Sequence, residues 1–250
     1  MPDATRVLIA GESWVSTTTH TKGFDSFTTS TYAEGADDLR AALAAGGFAV
    51  DFLPNHLAPT RFPSSAEDLA AYGCVILSDI GTNTLLLAPA TWERGERTAN
   101  RLELLRAYVH DGGGLIMVGG YLTFQGIEGK GRWAGSPVED VLPVTLQSVD
   151  DRVERPDGVE PRVVAAHPIV GGLVDRWPLV LGYNRVTARP ESQVLAQVGD
   201  DVLLACREVG QGRTVAYTTD CGPHWCPPPF VAWPGYQTLW QQMVGWAGRR

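Results

Sequence analysis

Gly112-Gly113-Gly114-Leu115-Ile116-Met117-Val118-Gly119-Gly120 holds a helix stop, a short apolar strand and a sharp turn. Upstream, Ala99 to His110 is the clearest helical pattern in the chain. It sets Leu102, Leu105, Ala107 and Val109 among charges. Leu115 to Val118 is apolar throughout, as a strand buried on both faces should be. The same unit recurs towards the N-terminus. Arg6-Val7-Leu8-Ile9-Ala10, Phe48 to Leu53 and Cys74 to Ser78 read as strands. Between them, Tyr32 to Ala45 reads as a helix stopped by Gly46-Gly47, and Ser64 or Ser65 caps a short helix through Leu69. Alternating strands and helices imply a mostly parallel sheet with right-handed crossovers and helices on both faces. Ligands of such sheets bind beyond the carboxyl ends of the strands. The segments after Ala10, Ser78 and Val118 are therefore where chemistry is expected.

The second half reads differently. Tyr121 to Val163 is rich in Gly, Pro and charge and forms a long excursion. Val163 to Ala165, Val194 to Val198, Asp201 to Glu208 and Thr214 to Thr219 read as strands of an antiparallel addition. Tyr236 to Ala247 is a final helix. With no repeat and no flexible linker, residues 1–250 are expected to form a single domain.

Composition narrows the partners. The chain has 250 residues, 44% of them apolar, enough for a sizeable core. Its 28 acids against 20 bases give a net charge of -8, which argues against nucleic acid and against an anionic membrane surface. No apolar run approaches the roughly 20 residues of a membrane helix. Val7 to Ala10 is too short for a signal-peptide core. Four cysteines are too few for a disulfide scaffold, so a cytoplasmic location is expected.

The segment around Gly119-Gly120-Tyr121-Leu122-Thr123-Phe124-Gln125-Gly126 sits where class I glutamine amidotransferase-like domains carry their nucleophile elbow. Gly210 to Asp220, followed by His224 and a Trp-rich final helix, resembles the closing segment of their ThuA-like branch. The opening Val7-Leu8-Ile9-Ala10-Gly11-Glu12 fits as well. The resemblance implies a flavodoxin-like three-layer α/β sandwich. It also implies a departure in activity. A glutaminase needs a Cys at the elbow to attack the amide carbonyl, with a His to activate it and amides to hold the oxyanion. Here the turn holds Gly119-Gly120-Tyr121, and no Cys lies between Cys74 and Cys206. What carries over is a scaffold and a pocket location.

Four groups of residues are candidates for chemistry. The glycine loop with Gly119, Gly120, Tyr121 and Phe124 could cradle a ligand with its amides or form an anion nest; a tight packing turn is the alternative. The loop Glu12, Trp14, His20 and Lys22 offers a carboxylate, an imidazole and an amine at the pocket edge; a solvated loop is the alternative. Asp79 could bind a hydroxyl, orient a His or cap the next segment. The run Asp220-Cys221-Gly222-Pro223-His224-Trp225-Cys226 admits several readings: zinc on Cys221, His224 and Cys226, a displaced Cys221 nucleophile, or an acid/base or divalent-metal site of His20, Asp220 and His224. Buried structural cysteines are the remaining one. Trp14, Trp133, Trp225 and Trp233, read as loop residues, would suit sugar faces. Trp240 and Trp246 suit core or a subunit interface. The ThuA-like resemblance points the same way, to sugar metabolism.

Two functions stay open. One is an enzyme on a small polar metabolite, a sugar or keto-sugar derivative, with His20, Asp220 and His224 as catalytic or metal-binding groups. The other is a non-catalytic ligand-binding or assembly module on the same scaffold. Either is expected to be a homo-oligomer.

Overall fold

The alternation inside each central strand divides the interior in two. Val7 and Ile9 enter one apolar core, and Leu8 and Ala10 the other. Cys74 and Ile76 part from Val75 and Leu77 in the same way, and Ile116 and Val118 from Leu115 and Met117. Successive side chains of a strand point to opposite faces, so a run apolar throughout needs cover on both sides. Leu39 and Leu43 of the helix Asp37–Ala45, with Leu239, Trp240 and Met243 of the helix Pro234–Ala247, cover the first face. Leu102, Leu105 and Val109 of the helix Arg101–His110 cover the second. Each fully buried side chain of this kind contributes about 1.5–3 kcal/mol.

The computed structural model describes residues 4–249. Its strands are β1 (Arg6–Gly11), β2 (Ser13–Lys22), β3 (Asp25–Glu34), β4 (Ala49–Leu53), β5 (Cys74–Ser78), β6 (Gly114–Val118), β7 (Val144–Thr145), β8 (Arg152–Val159), β9 (Arg162–Val163), β10 (Val180–Asn184), β11 (Thr187–Ala188), β12 (Gln193–Val198), β13 (Asp201–Val209) and β14 (Gly212–Tyr217). The central sheet runs β4-β1-β5-β6-β14-β13-β12-β9. Its first five strands are parallel, and β13, β12 and β9 add in antiparallel fashion. This is a flavodoxin-like three-layer α/β sandwich with an antiparallel addition late in the chain. The stop and start signals act locally. Asn100 Oδ1 accepts from the amides of Leu102 and Glu103, and Ser65 Oγ accepts from that of Asp68.

Two segments depart from the expected elements. The stretch after β1 is not a loop but the hairpin β2–β3, paired from Ser13↔Glu34 to Lys22↔Asp25. Its helix consequently starts at Asp37 rather than Tyr32. Thr and Ser occupy both faces of the ribbon, so no apolar alternation marks it, although β-branched Thr favours strands. Gly23, with φ 64°, supplies the left-handed first position of its two-residue turn. The excursion after Tyr121 is also ordered. It contains the helix Pro137–Val141, β7 paired with β11, and β8 paired with β10.

Candidate functional site

The five parallel strands follow the order 2-1-3-4-5 of their sequence, so the direction of winding reverses between β1 and β5. Ligands of doubly wound sheets bind beyond the strand ends at such a reversal. Glu12 follows β1 there, and Asp79 follows β5. The two turns lock together. Gly11 (φ 114°) brings β1 so close to β5 that a Cβ on it would lie 1.8 Å from the Ser78 carbonyl oxygen. The Glu12 amide then donates to that oxygen at 2.8 Å. Glu12 and Asp79 both adopt positive φ, 45° and 44°, which non-glycine residues rarely do without a surrounding structure that demands it.

Side chains converge from three strand ends, those of β1, β5 and β14. Ser78 Oγ donates to Glu12 Oε2 at 2.5 Å and lies 3.8 Å from Cys221 Sγ. Asp220 follows β14; its Oδ1 accepts from the Cys221 amide at 2.6 Å, and its Oδ2 lies 3.7 Å from His224 Nδ1. Glu12, Asp220 and Cys221 are buried, and one ligand atom from each lies within 4.8 Å of the others. Burial holds the Glu12 carboxyl well above the usual carboxylate range, and the charges of Asp220 and Asp79 add to this. Burial also raises Asp79, and it raises the Cys221 thiol far above an ordinary cysteine. Asp220 raises His224, so the imidazolium is favoured next to it. His224 is partly exposed and forms the outer edge of the cluster.

Beyond His224 lies an aromatic rim. The Tyr121 ring meets His224 edge-on at 4.5 Å and carries the Arg152 guanidinium at 4.6 Å. Tyr121 Oη donates to Glu154 Oε1 at 3.2 Å, and Trp225 Nε1 donates to Glu154 Oε2 at 2.9 Å.

The elbow itself is closed by the protein's own groups. A Cβ on Gly119 would lie 2.0 Å from the Thr218 carbonyl oxygen, so glycine is required where β6 and β14 end together. The Gly120 amide donates to Asn184 Oδ1 at 3.0 Å, and the Leu122 amide to Asp79 Oδ1 at 2.7 Å. The Gln125 and Gly126 amides donate to the two oxygens of Asp151 at 2.9 and 2.8 Å. Asn184 Nδ2 in turn donates to Asp151 Oδ1 at 2.8 Å. The expected open anion nest is therefore corrected: internal carboxylates and Asn184 already accept those four amides.

The expected residues divide by location. Glu12, Asp79, Gly119, Gly120, Tyr121, Asp220 and His224 come together at the strand ends. Trp14, 43% exposed, flanks Gly35 beside Glu12 at the root of the hairpin. His20 and Lys22 do not join them. His20 stacks on Phe27 at 4.7 Å, and Lys22 Nζ lies 5.6 Å from the same ring. At about 3.3 Å per residue, His20 stands about 23 Å along β2 from Ser13. Among the described residues, no hydrogen bond, ion pair or ring contact joins either to Asp220 or His224. Phe124 is fully buried in the second core, so it faces apolar neighbours rather than a ligand. Trp133 and Trp225 are likewise buried, which corrects their reading as open sugar platforms. Cys221 faces Ser78 and Glu12 from a fully buried position, which removes it as a nucleophile served by His224. The zinc set of Cys221, His224 and Cys226 does not form either; among the described residues the grouping is Glu12, Asp220 and Cys221. Asn184, Asp151, Arg152 and Glu154 were not expected. Asn184 lies 64 residues from the glycine it holds, and no local spacing signals such a pair.

A family model described as "Putative glutamine amidotransferase" matches residues 6–248. Two solved structures are 42% identical to this chain, each with a TM-score of 0.93. One is a cytoplasmic protein from Salmonella typhimurium, with 96% of this chain and 98% of that chain covered. The other is a cytoplasmic protein from Salmonella typhimurium LT2, with 97% and 99% covered. A ThuA-like protein from Parabacteroides merdae matches at TM-score 0.59 and 14% identity over 98% of this chain and 90% of that one, a likeness of fold alone. No curated protein matches.

Proposed function

The chain belongs to the glutamine amidotransferase-like family, and from that premise we propose an enzyme that is not a glutaminase and acts on a small polar metabolite by acid/base chemistry. One observation carries the reading: a paired Asp220 and His224 border the buried Glu12 and the half-buried Asp79 at the sheet's point of reversal, while glycine occupies the elbow. His224 takes and returns a proton, with Asp220 holding its imidazolium. Tyr121, Arg152 and Glu154 bind the substrate's polar groups. A sugar or keto-sugar derivative is the substrate class, because its hydroxyls match these donors and acceptors. Residues 1–250 act as one domain, in the cytoplasm as the two Salmonella relatives are described. The exposed Trp14, Phe24, Phe27 and Tyr32 of the hairpin support a homo-oligomer.

The test is a paired assay. Glutamine should yield no glutamate. Sugars, keto-sugars and sugar lactones in deuterated water should show conversion or carbon-bound deuterium with the wild type and not with His224→Ala. Glutamate release, or equal conversion by the variant, would overturn the reading. One observation favours the non-catalytic module instead: Asp79 and Asn184 fill the amides that would receive an oxyanion. That module would bind a sugar in calorimetry and convert none.

A further inference from the structure

The inner end of the cluster gathers more acidic groups than its surroundings neutralise. Glu12 and Asp220 are carboxylic acids withdrawn from water, Asp79 is a half-buried third, and Cys221 adds a thiol beside the first two. Among the described residues, no lysine or arginine nitrogen lies within 4.0 Å of any of the three; the one basic side chain that reaches them is His224, at the outer edge. Buried charges require a partner or a proton, and the desolvation cost otherwise runs to several kcal/mol per ion. A second feature points into the same place. The Tyr217 hydroxyl is fully buried and has no hydrogen-bond partner. It lies within the electrostatic reach of Cys226, Cys221 and Asp220.

We propose that Glu12, Asp220 and Cys221 form a binding site for one divalent ion of the zinc class, with a fourth position left to water or substrate. The donor set suits that ion: zinc takes thiolate and carboxylate together, and three protein ligands with one open position mark reactive rather than structural sites. The supporting contacts are those of an outer shell. Ser78 Oγ orients Glu12, and the Cys221 and Gly222 amides hold Asp220 Oδ1, leaving Oδ2 free of any amide donor. Binding releases the proton of the Cys221 sulfur, and any proton on the Glu12 carboxyl, to solvent, so affinity rises with pH. The site belongs to the same strand-end cluster as the proposed enzyme, but loading is read without turnover.

The experiment titrates chelator-treated, refolding-checked wild type with zinc alone in a calorimeter, and with cobalt(II) alone in a spectrophotometer. One equivalent of zinc and a near-ultraviolet thiolate-to-cobalt band are expected. Cys221→Ser should abolish the band, and either Cys221→Ser or Glu12→Gln should weaken zinc by about a hundredfold or more. Folded wild type that takes no stoichiometric zinc, or cobalt bound without the thiolate band, would overturn the site. Should Cys221→Ser fail to fold, the wild-type band and Glu12→Gln decide alone, and unchanged zinc affinity in Glu12→Gln counts against it. A protein that loads zinc but converts nothing fails the proposed function only; one that converts substrate with no zinc bound fails this inference only.

Discussion

The strand-end cluster and the β2–β3 hairpin leave the same strand, β1, and differ in nearly every physical respect. The cluster is buried and cross-linked by groups distant in sequence: Ser78 with Glu12, Asn184 with Gly120 and Asp151, Asp79 with Leu122. The hairpin is exposed from Trp14 to Glu34 apart from the half-buried Ala33, and it pairs with itself. Thr17 faces Ser30 and Thr19 faces Thr28 through hydroxyl contacts that water could replace. A two-stranded ribbon without a covered face is only marginally stable by itself. Stability is therefore concentrated on one side of Ser13 and nearly absent on the other.

Substitutions can break this contrast in descending order of effect. Gly11→Ala forces a side chain onto backbone at positive φ, against the Ser78 carbonyl. It should cost more than about 4 kcal/mol or prevent folding, read by urea unfolding. A loss below about 1 kcal/mol would mean that the two turns are not locked. Asn184→Ala leaves the Gly120 amide without its acceptor, removes one of the two donors to Asp151 Oδ1, and should cost about 2–3 kcal/mol.

A third change lies away from both regions and calibrates them. His167 Nδ1 accepts from the Ile169 amide at 3.2 Å, which requires that nitrogen unprotonated. Burial, then the Arg213 charge, lowers His167 below its ordinary 6.5. Its contribution is complete above the ordinary value and is lost as pH falls through the lower folded value. His167→Asn keeps the cap and removes the titration, so wild type should lose up to about 1 kcal/mol more than the variant on acidification. Parallel curves for the two would refute the role. Smallest of all, Thr19→Ala in the hairpin should change stability by less than about 0.5 kcal/mol in thermal unfolding. A loss above about 1 kcal/mol would show that the ribbon is held by more than its own pairing.

The same contrast explains what could be read from the residues alone. Strands apolar throughout, such as Cys74–Ser78, announce burial on both faces, and their order with the intervening helices fixes the sheet and its active edge. Glu12, Asp79, Asp220 and His224 were legible because each follows a strand. The hairpin was not, because its threonines and serines carry no apolar period. His20 was misplaced with it: a loop would have kept it near β1, whereas a strand carries it outward. Phe124, Trp133 and Trp225 misled because proximity to glycines resembles exposure, while the ordered excursion buries them. Asn184 and Asp151 act only through tertiary pairing.

The most direct measurement uses no assumed substrate. Purified protein is incubated with a small-molecule cell extract, and polar metabolites are profiled by mass spectrometry for the wild type, His224→Ala and Thr19→Ala. The account predicts that a small set of polar metabolites changes with the wild type and with Thr19→Ala, and stays constant with His224→Ala. The same changes with all three proteins, or no change with any, would contradict it.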